Sequence, residues 1–514
     1  MSSKNDKPLA LLLLVLAGVF GLYARLAAPA QAGFPILDGG LFYSMATDLI
    51  ENGLRRPFVA SYNNLAIPYA YPPLGIFLTA LLAHLTGWDL LQIVRWLPAF
   101  FSLLTLPLFY LLAREMLESP AQAALATLLY ATLPRAYEWL VMGGGISRAP
   151  GTLFYLAFAW AAYRAFAHRD WRMSAWAALF GGLTLLTHPE RALHAATTGA
   201  LFWLWLDRSK SGVLRALIIG GGSLLVSTPW WSVVLARYGA GTLFLASQAG
   251  GPRWLFWAPL LQLDFTDESV PLTALLAAFG MFLAWKNGQR LLTLWFILTF
   301  LTDPRSAPHI VGVQTCLLAA LALSKSLFPA LTGEQPWETL LASRRGKIFF
   351  GYLIAILIFN VQSNLLTLQQ RYVLPPVDRQ AIAWVAAQTA PKSRFLALGW
   401  EKIPGFSPLL EWFPALSERT NIATIQGREW LPGKANFNLR VRTFPDLYAC
   451  LDQTIACLED WATQHQETFE YIYLSLHVPN GSPRLSRLSD SLRASPDYRL
   501  VYETSEVLIF QRIP

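Results

Sequence analysis

Charge is what this 514-residue chain has least of. Asp, Glu, Lys and Arg make up 14% of it, where soluble domains carry about 25%. With 54% hydrophobic residues and a mean hydropathy of +0.39, that scarcity excludes an ordinary soluble enzyme and identifies a polytopic membrane protein. Cysteine is scarce too, with three residues, and neither spacing nor neighbours suit a zinc site. No Walker-type glycine pattern occurs, which leaves nucleotide hydrolysis unsupported. No internal repeat occurs either, and transporters usually show one. The net charge of +8 does not mark a nucleic-acid protein, because the basic residues cluster in short loops between apolar runs.

What is present is aromatic and apolar. The chain has 20 Trp, 18 Tyr and 31 Phe, as expected where rings sit at membrane interfaces. Runs able to cross about 30 Å of hydrocarbon lie near 8–28, 92–113, 121–137, 150–167, 173–187, 192–206, 213–235, 270–285, 290–302, 308–327 and 347–366. The expectation is about eleven spans, with a further short or broken helix in 236–269. The first run follows Lys4 and Lys7 and ends in "APAQAG", so it also has features of a cleavable signal; it is read as a retained helix that opens the series.

With the N-terminus cytoplasmic, the loops on that side carry Lys4, Lys7, Arg114, Arg164, Arg169, Arg172, Arg208, Lys210, Arg215, Lys286, Arg290, Lys325, Arg344, Arg345 and Lys347. The bias predicts N-terminus in and C-terminal domain out. Segment 31–91 is then external, and "YPPLGIFLTALLAHLTG" (71–87) is expected to lie along the outer surface. Two domains follow: 1–369, a transmembrane helical bundle, and 370–514, an extracytoplasmic α/β domain. In the second, "VDRQAIAWVAAQTA" has helical period and "SDSLRASP" reads as a short helix. "RFLALGW", "YIYLSLHV", "YRLVYET" and "EVLIFQRI" read as strands. Cys450 and Cys457 are too far apart on one continuous helix for a disulfide, about 10 Å of rise. Either the segment turns between them and they pair, or both stay free.

Four external features could carry chemistry. Asp38 in "ILDGGLFYSMATDL" follows the first run, and a charge near hydrocarbon is a functional candidate by default. Leu41, Met45, Leu49 and Ile50 predict a short amphipathic helix after it. Asp38 fits a cap on that helix and a catalytic carboxylate equally well. In "YAYPPLG", two prolines launch a helix and Tyr69 and Tyr71 read as interfacial rings. "EWLVMGGGISRAPGTLF" places three glycines, Ser147 and Arg148 before a membrane helix, where backbone N–H groups and a guanidinium suit phosphate oxygens. "LLTHPERALHA" places His188, Glu190, Arg191 and His194 at a junction of two runs. His194 reads as structural, while His188 and Glu190 leave room for a divalent cation or an ion network. Asp264, Asp267 and Glu268, with Arg237, Arg253 and Arg305, form a further charged group, in which Arg253 or Arg305 could meet a lipid phosphate.

The succession of motifs resembles the membrane glycosyltransferases of the GT-C fold, closest in style to the protein O-mannosyltransferase and aminoarabinose transferase group. It runs from an external Asp after the first helix, through a helix ending in "ENG" and "PPLG" leading to "LTG", to "VRWLPAFFSLLTLPLFYLLAREM". The likeness is strongest over 8–210. It implies sugar transfer from a polyprenyl-phosphate donor to a lipid, glycan or protein acceptor on the outer face of the cell membrane. Asp38 would be the base and Arg148 the first choice for the lipid phosphate. The expected substrate-side residues are Tyr43, Tyr71, Glu138, Ser147, Arg148, His188, Glu190 and Arg191. No metal ligand is assigned, and no cofactor is implied beyond a divalent cation as an option. Three positions depart from the family pattern: Gly39 stands where many relatives have a second acid, "SRAPG" lacks an Asp, and Tyr71 stands where many have His or Lys. The rival expectation is a glycolipid-binding or transport protein without catalysis.

Overall fold

Each apolar run is a helix. The computed structural model describes residues 6–249, 257–333, 337–477 and 485–513, apart from the side chains at 338 and 434. Lys4 and Arg253 fall outside the described residues. The apolar helices are Asp6–Ala32, Leu90–Met116, Pro120–Thr132, Gly145–Ala167, Trp171–Thr187, Pro189–Leu206, Lys210–Tyr238, Leu272–Lys286, Arg290–Thr302, Gly312–Ala322 and Arg344–Arg371. Five described stretches have the length and composition to cross a membrane: Asp6–Ala32, Leu90–Met116, Lys210–Tyr238, Gly312–Thr332 and Arg344–Gln388. Side-chain caps mark several starts, with Asp89, Ser119, Asp170, Ser209 and Ser343 each accepting from a first-turn amide. The run 121–137 differs from expectation. It breaks at Leu133, and Pro134, which has no N–H to continue the ladder, begins a second helix to Val141. The 236–269 segment holds two short helices, Ala240–Ser247 and Ala258–Leu261.

The bundle is organised around Pro120–Thr132, an alanine-rich helix buried from Ala121 to Thr132. Small side chains let neighbouring helices approach closely where lipid supplies no hydrophobic drive. At the other extreme, Lys210–Tyr238 turns Leu217 and Leu225 outward, 66% and 74% exposed. An apolar surface of that kind is stable against lipid and costly against water. Arg25 lies fully buried within the first helix. Its guanidinium donates to the carbonyls of Ser102 (3.2 Å) and Ala131 (2.9 Å), so three helices share one cation.

Between the first two long helices the chain forms the expected amphipathic helix, Gly40–Glu51, with Leu41, Met45 and Leu49 buried. A small ribbon follows, β1 (Val59–Ala60) antiparallel to β2 (Ile67–Pro68). The Pro72–Pro73 turn leads into Leu74–Thr86. Its 13 residues rise about 20 Å, short of a bilayer's hydrocarbon core. Tyr69 is not an interfacial ring. It is fully buried, with its hydroxyl on the Met45 carbonyl at 2.7 Å.

The C-terminal part is α/β. Strands β3 (Arg394–Leu398), β4 (Thr420–Asn421), β5 (Tyr471–Ser475), β6 (Tyr498–Glu503) and β7 (Val507–Arg512) form one sheet in the order β4-β3-β5-β7-β6. The β3–β4 and β3–β5 pairs are parallel, and β7 is antiparallel to β5 and β6. The parallel pairs need crossovers, and helices Pro408–Ser417, Phe437–Ala449 and Ile455–His465 supply them. All five residues of β5 are buried, as a central strand covered on both faces requires.

Cys450 and Cys457 form a disulfide with a Cα separation of 5.5 Å. Continuous helix would have kept them apart. The chain instead leaves helix at Ala449, makes a 3-10 turn over Cys450–Asp452, and restarts at Ile455. Closing so short a loop stabilises by about 2–3 kcal/mol in the chain-entropy account. Replacing both cysteines by serine should therefore lower the unfolding temperature. Thiol labelling of the denatured wild-type chain should require prior reduction to modify these two residues.

Candidate active site

Asp38 sits where five segments meet. The loop before it follows from the helix break after Ala32, and Leu37 adopts a left-handed φ of 56°, unusual for a bulky residue. That conformation is held from both sides. The Leu37 amide donates to the Tyr372 carbonyl at 2.7 Å, and its carbonyl accepts from the Trp412 indole at 3.1 Å. One residue earlier, the Ile36 carbonyl accepts from the Gly143 amide at 2.9 Å.

The carboxylate itself meets Arg148 in a two-pronged ion pair, with guanidinium-to-oxygen distances of 2.7 and 2.9 Å. A third donor, the Gly144 amide, reaches the same carboxylate at 2.8 Å. The membrane helix begins at Gly145, so Ser147 and Arg148 lie in its first turn rather than in a loop ahead of it. The glycine run that suggested a phosphate cradle thus directs the Gly144 N–H at the protein's own carboxylate. Arg148 in turn donates through Nε to the Trp139 carbonyl at 2.9 Å and lies over the Trp139 ring, 5.1 Å from its centre. Both of its terminal nitrogens are engaged by Asp38. The Asp38 side chain keeps 22% of its surface open, and its Oδ2 edge accepts one donor where Oδ1 accepts two.

Asp38 is not the cap of the helix that follows. Gly39 holds the cap position with φ 114° and makes no side-chain cap bond. The cap comes from across the sequence, where one oxygen of Glu411 accepts from the Gly39 and Leu41 amides at 3.2 and 3.1 Å. Glycine is required at two points. A Cβ on Gly39 would come within 2.8 Å of the Gly143 carbonyl carbon, and one on Gly143 would collide with the Asp38 carbonyl. A second acid at position 39 therefore has no room, and Glu411 brings a carboxyl to the same place from helix Pro408–Ser417. Sequence reasoning missed Glu411. Its signal was weak, a single acid in "LLEWFPAL" at the start of an apolar helix.

The other candidates divide into two groups. Tyr71, Ser147, His188, Glu190 and Arg191 lie on the Arg148 side. Ser147 Oγ donates to the Thr187 carbonyl at 2.5 Å and lies 3.2 Å from the Tyr71 hydroxyl. Burial raises the Tyr71 proton affinity, and its ring packs against Phe42 and Trp430. Glu190 pairs with Arg305, and Arg191 donates to Thr152 Oγ1 at 3.0 Å and to the His309 carbonyl at 3.3 Å. Burial, then the charges of Arg191, Arg148 and Arg305, hold His188 well below its usual range. His309 is lowered by burial and by Arg135, Arg191 and Arg148. Burial is the first cause for both imidazoles, and Arg191 and Arg148 act on both as nearby positive charges of the kind that suits an anion.

Tyr43 and Glu138 lie beside the supports of the ion pair and not on the pair itself. The Tyr43 ring packs on Trp412, 6.0 Å between centres, and the charges that raise its proton affinity after burial are Asp89 and Glu418. Glu138 pairs with Arg135 at 2.9 Å and accepts from Asn364 at 2.8 Å. That ties the short helix Pro134–Val141 to Arg344–Arg371 and steadies Trp139 from behind. His194 bonds Ser306 at 2.9 Å within the bundle. Among the described residues no group of three or more His, Cys, Asp or Glu side chains is placed to hold a metal ion.

Glu411 is pushed up to about 8, first by burial and then by the charge of Asp38. Below about 8 it thus keeps a proton that an exposed glutamate has already lost. Between its ordinary value of 4.5 and about 8 the native state holds a proton that the unfolded state has lost. Stability falls as pH rises through that window. Glu411→Gln should keep the cap, since its amide oxygen accepts the same two N–H bonds, and should flatten this part of the curve. Unfolding temperatures of wild type and variant between pH 4.5 and 8 would test it.

The chain resembles known proteins in its fold. Residues 70–249 match the family model described as dolichyl-phosphate-mannose-protein mannosyltransferase. No curated protein matches the chain by sequence. The oligosaccharyltransferase AglB from Archaeoglobus fulgidus, solved with an inhibitory peptide and a dolichol-phosphate, superposes with a TM-score of 0.58 at 14% identity, over 92% of this chain and 70% of its own. ArnT from Cupriavidus metallidurans bound to undecaprenyl phosphate gives 0.56 at 16% identity, over 98% of both chains. The mycobacterial arabinofuranosyltransferase AftD gives 0.56 at 14% identity, over 99% of this chain and 42% of its own. With the apolar helices, these matches make the chain a membrane protein with the GT-C fold of membrane glycosyltransferases.

Proposed function

We propose that the protein transfers a sugar from a polyprenyl-phosphate donor to an acceptor hydroxyl on the extracytoplasmic face of the membrane. The observation that carries this reading is the Asp38 carboxylate, gripped by Arg148 and the Gly144 amide but partly open and with one donor on Oδ2. A carboxylate fixed on three bonds is pre-oriented, and its less occupied Oδ2 edge suits a single incoming O–H. The neighbours bind polyprenyl carriers, dolichol-phosphate on AglB and undecaprenyl phosphate on ArnT, which supports a lipid-linked donor here.

In the proposed step the acceptor oxygen attacks the anomeric carbon as its proton passes to Asp38. The new C–O bond forms as the bond to the carrier's phosphate oxygen breaks, with inversion at the anomeric carbon. The polyprenyl phosphate leaves as an anion. Arg148 orients Asp38, so the leaving phosphate is better met by Arg191 and Arg305, with Tyr71 alongside. Glu190, paired with Arg305, holds that guanidinium for the exchange. Arg148 is then a positioning residue, where sequence alone favoured direct phosphate contact.

Asp38→Asn, assayed in proteoliposomes with labelled polyprenyl-phosphate sugars, should lower transfer by about 10²–10⁴-fold, the usual worth of a general base. Unchanged transfer by this variant overturns the base assignment. A wild type inert with every donor but retaining glycolipid would favour a binding protein. Arg148→Gln should cost on the order of 100-fold through misplacement of Asp38, with little change in donor affinity. Arg191→Gln should weaken the donor instead.

A further inference from the structure

A cavity lies away from Asp38, in the C-terminal part. It encloses about 480 Å³ between the loop that carries Leu65 and the α/β sheet. Three arginines line it, Arg394, Arg428 and Arg440, with one carboxylate, Glu467. Both Glu467 oxygens are occupied, one by Arg394 at 3.0 Å and the other by Arg440. Arg428 is left with carbonyls only, those of Thr424 (2.6 Å) and Ala435 (3.4 Å). Among the described residues it has no ion pair. Burial and then the charge of Arg440 lower it to about 10, although Glu467 acts in the other direction. A further lining residue, His465, has a buried Nε2 without a hydrogen-bond partner. A buried guanidinium that must share the charge of Glu467 with two ion-paired arginines is costly to a fold, and such groups gather where a ligand completes them.

The remaining walls indicate what kind of ligand. Thr443 and Gln464 offer hydroxyl and amide groups, while Leu65 and Leu439 give apolar faces. That mixture suits the two-sided surface of a sugar ring, and the volume is within the range of small-ligand sites. We propose that this cavity binds an anionic saccharide unit, a sugar carrying a carboxylate or a phosphate, with the arginines on the oxyanion. Arg forks match both groups in geometry.

The cavity backs onto the Tyr71 side of the candidate active site. Arg428 begins the 3-10 turn Arg428–Trp430. The last residue of that turn packs its ring against Tyr71, 6.3 Å between centres, and the middle one, Glu429, adds to the charges acting on Tyr71. An anionic sugar held by Arg428 would be one unit of the acceptor glycan. That extension rests on the transfer reading, whereas binding itself does not.

Calorimetry on the full-length protein in nanodiscs would test it, with glucuronic acid and N-acetylglucosamine 1-phosphate as anionic probes and N-acetylglucosamine as the neutral control. The anionic probes should bind at least tenfold tighter than the neutral one, and more weakly as salt rises. The better of the two identifies the oxyanion. Arg428→Gln should cost at least tenfold. Leu439→Trp fills the mouth from a residue 45% exposed, outside the ion network, and should do the same without disturbing the fold. Asp38→Asn should leave this binding intact, which separates the cavity from the transfer site. Equal binding of the neutral sugar, indifference to Leu439→Trp, or loss of binding in Asp38→Asn each overturns the proposal.

Discussion

The ion pair between Asp38 and Arg148 is the constraint around which the rest is arranged. A carboxylate beside hydrocarbon needs an opposing charge and hydrogen bonds, or burial drives it neutral. Arg148 and the Gly144 amide supply them, at 2.7–2.9 Å. That arrangement demands a helix start at Gly145, an approach so close that Gly39 and Gly143 admit no side chain, and a Leu37 backbone bent into a left-handed turn. The indole of Trp412 and the carbonyl of Tyr372 then hold the bent loop. Removing Arg148 would leave an unmatched carboxylate and release the donors that shape everything around it.

Two acids thus share one small space with different tasks. Asp38 carries the charge and stays partly open. Glu411, raised to about 8 by burial and by Asp38, occupies itself with the amides of Gly39 and Leu41. The division follows from environment, since one carboxyl faces a guanidinium and the other faces backbone dipoles in an apolar shell. It also accounts for the glycine at position 39. Any side chain at that position is sterically barred, and a carboxyl arrives from helix Pro408–Ser417 instead.

Much of the fold was legible in the sequence because its signals are local. Long apolar runs gave helices, and the alternating segments at 394, 471, 498 and 507 gave strands. Leu41, Met45 and Leu49 marked the buried face of their helix. Pro134 was visible too, but its effect depends on whether neighbours let the helix restart. The site was legible only in part. Asp38, Arg148 and the glycines are close in space and stood out by type. Their pairing was not readable, because an Arg beside glycines before a helix looks the same whether it faces a lipid phosphate or a side chain 110 residues away. Glu138 and Tyr43 carried the right chemistry yet face Arg135 and Trp412. Glu411 was invisible because its partners lie about 370 residues upstream.

That last separation bears on how the molecule comes into being. The cap and clasp on the Asp38 loop, Glu411 and Trp412, belong to a segment synthesised long after the loop itself. Until helix Pro408–Ser417 docks, the amides of Gly39 and Leu41 have no acceptor in Glu411 and the left-handed turn at Leu37 has no clasp. The first loop of the chain therefore waits for one of its last helices. A nascent chain that has passed Arg148 but not yet reached that helix holds both residues of the pair and still lacks part of the support that shapes the loop, so docking of helix Pro408–Ser417 acts as the checkpoint on assembly of the centre.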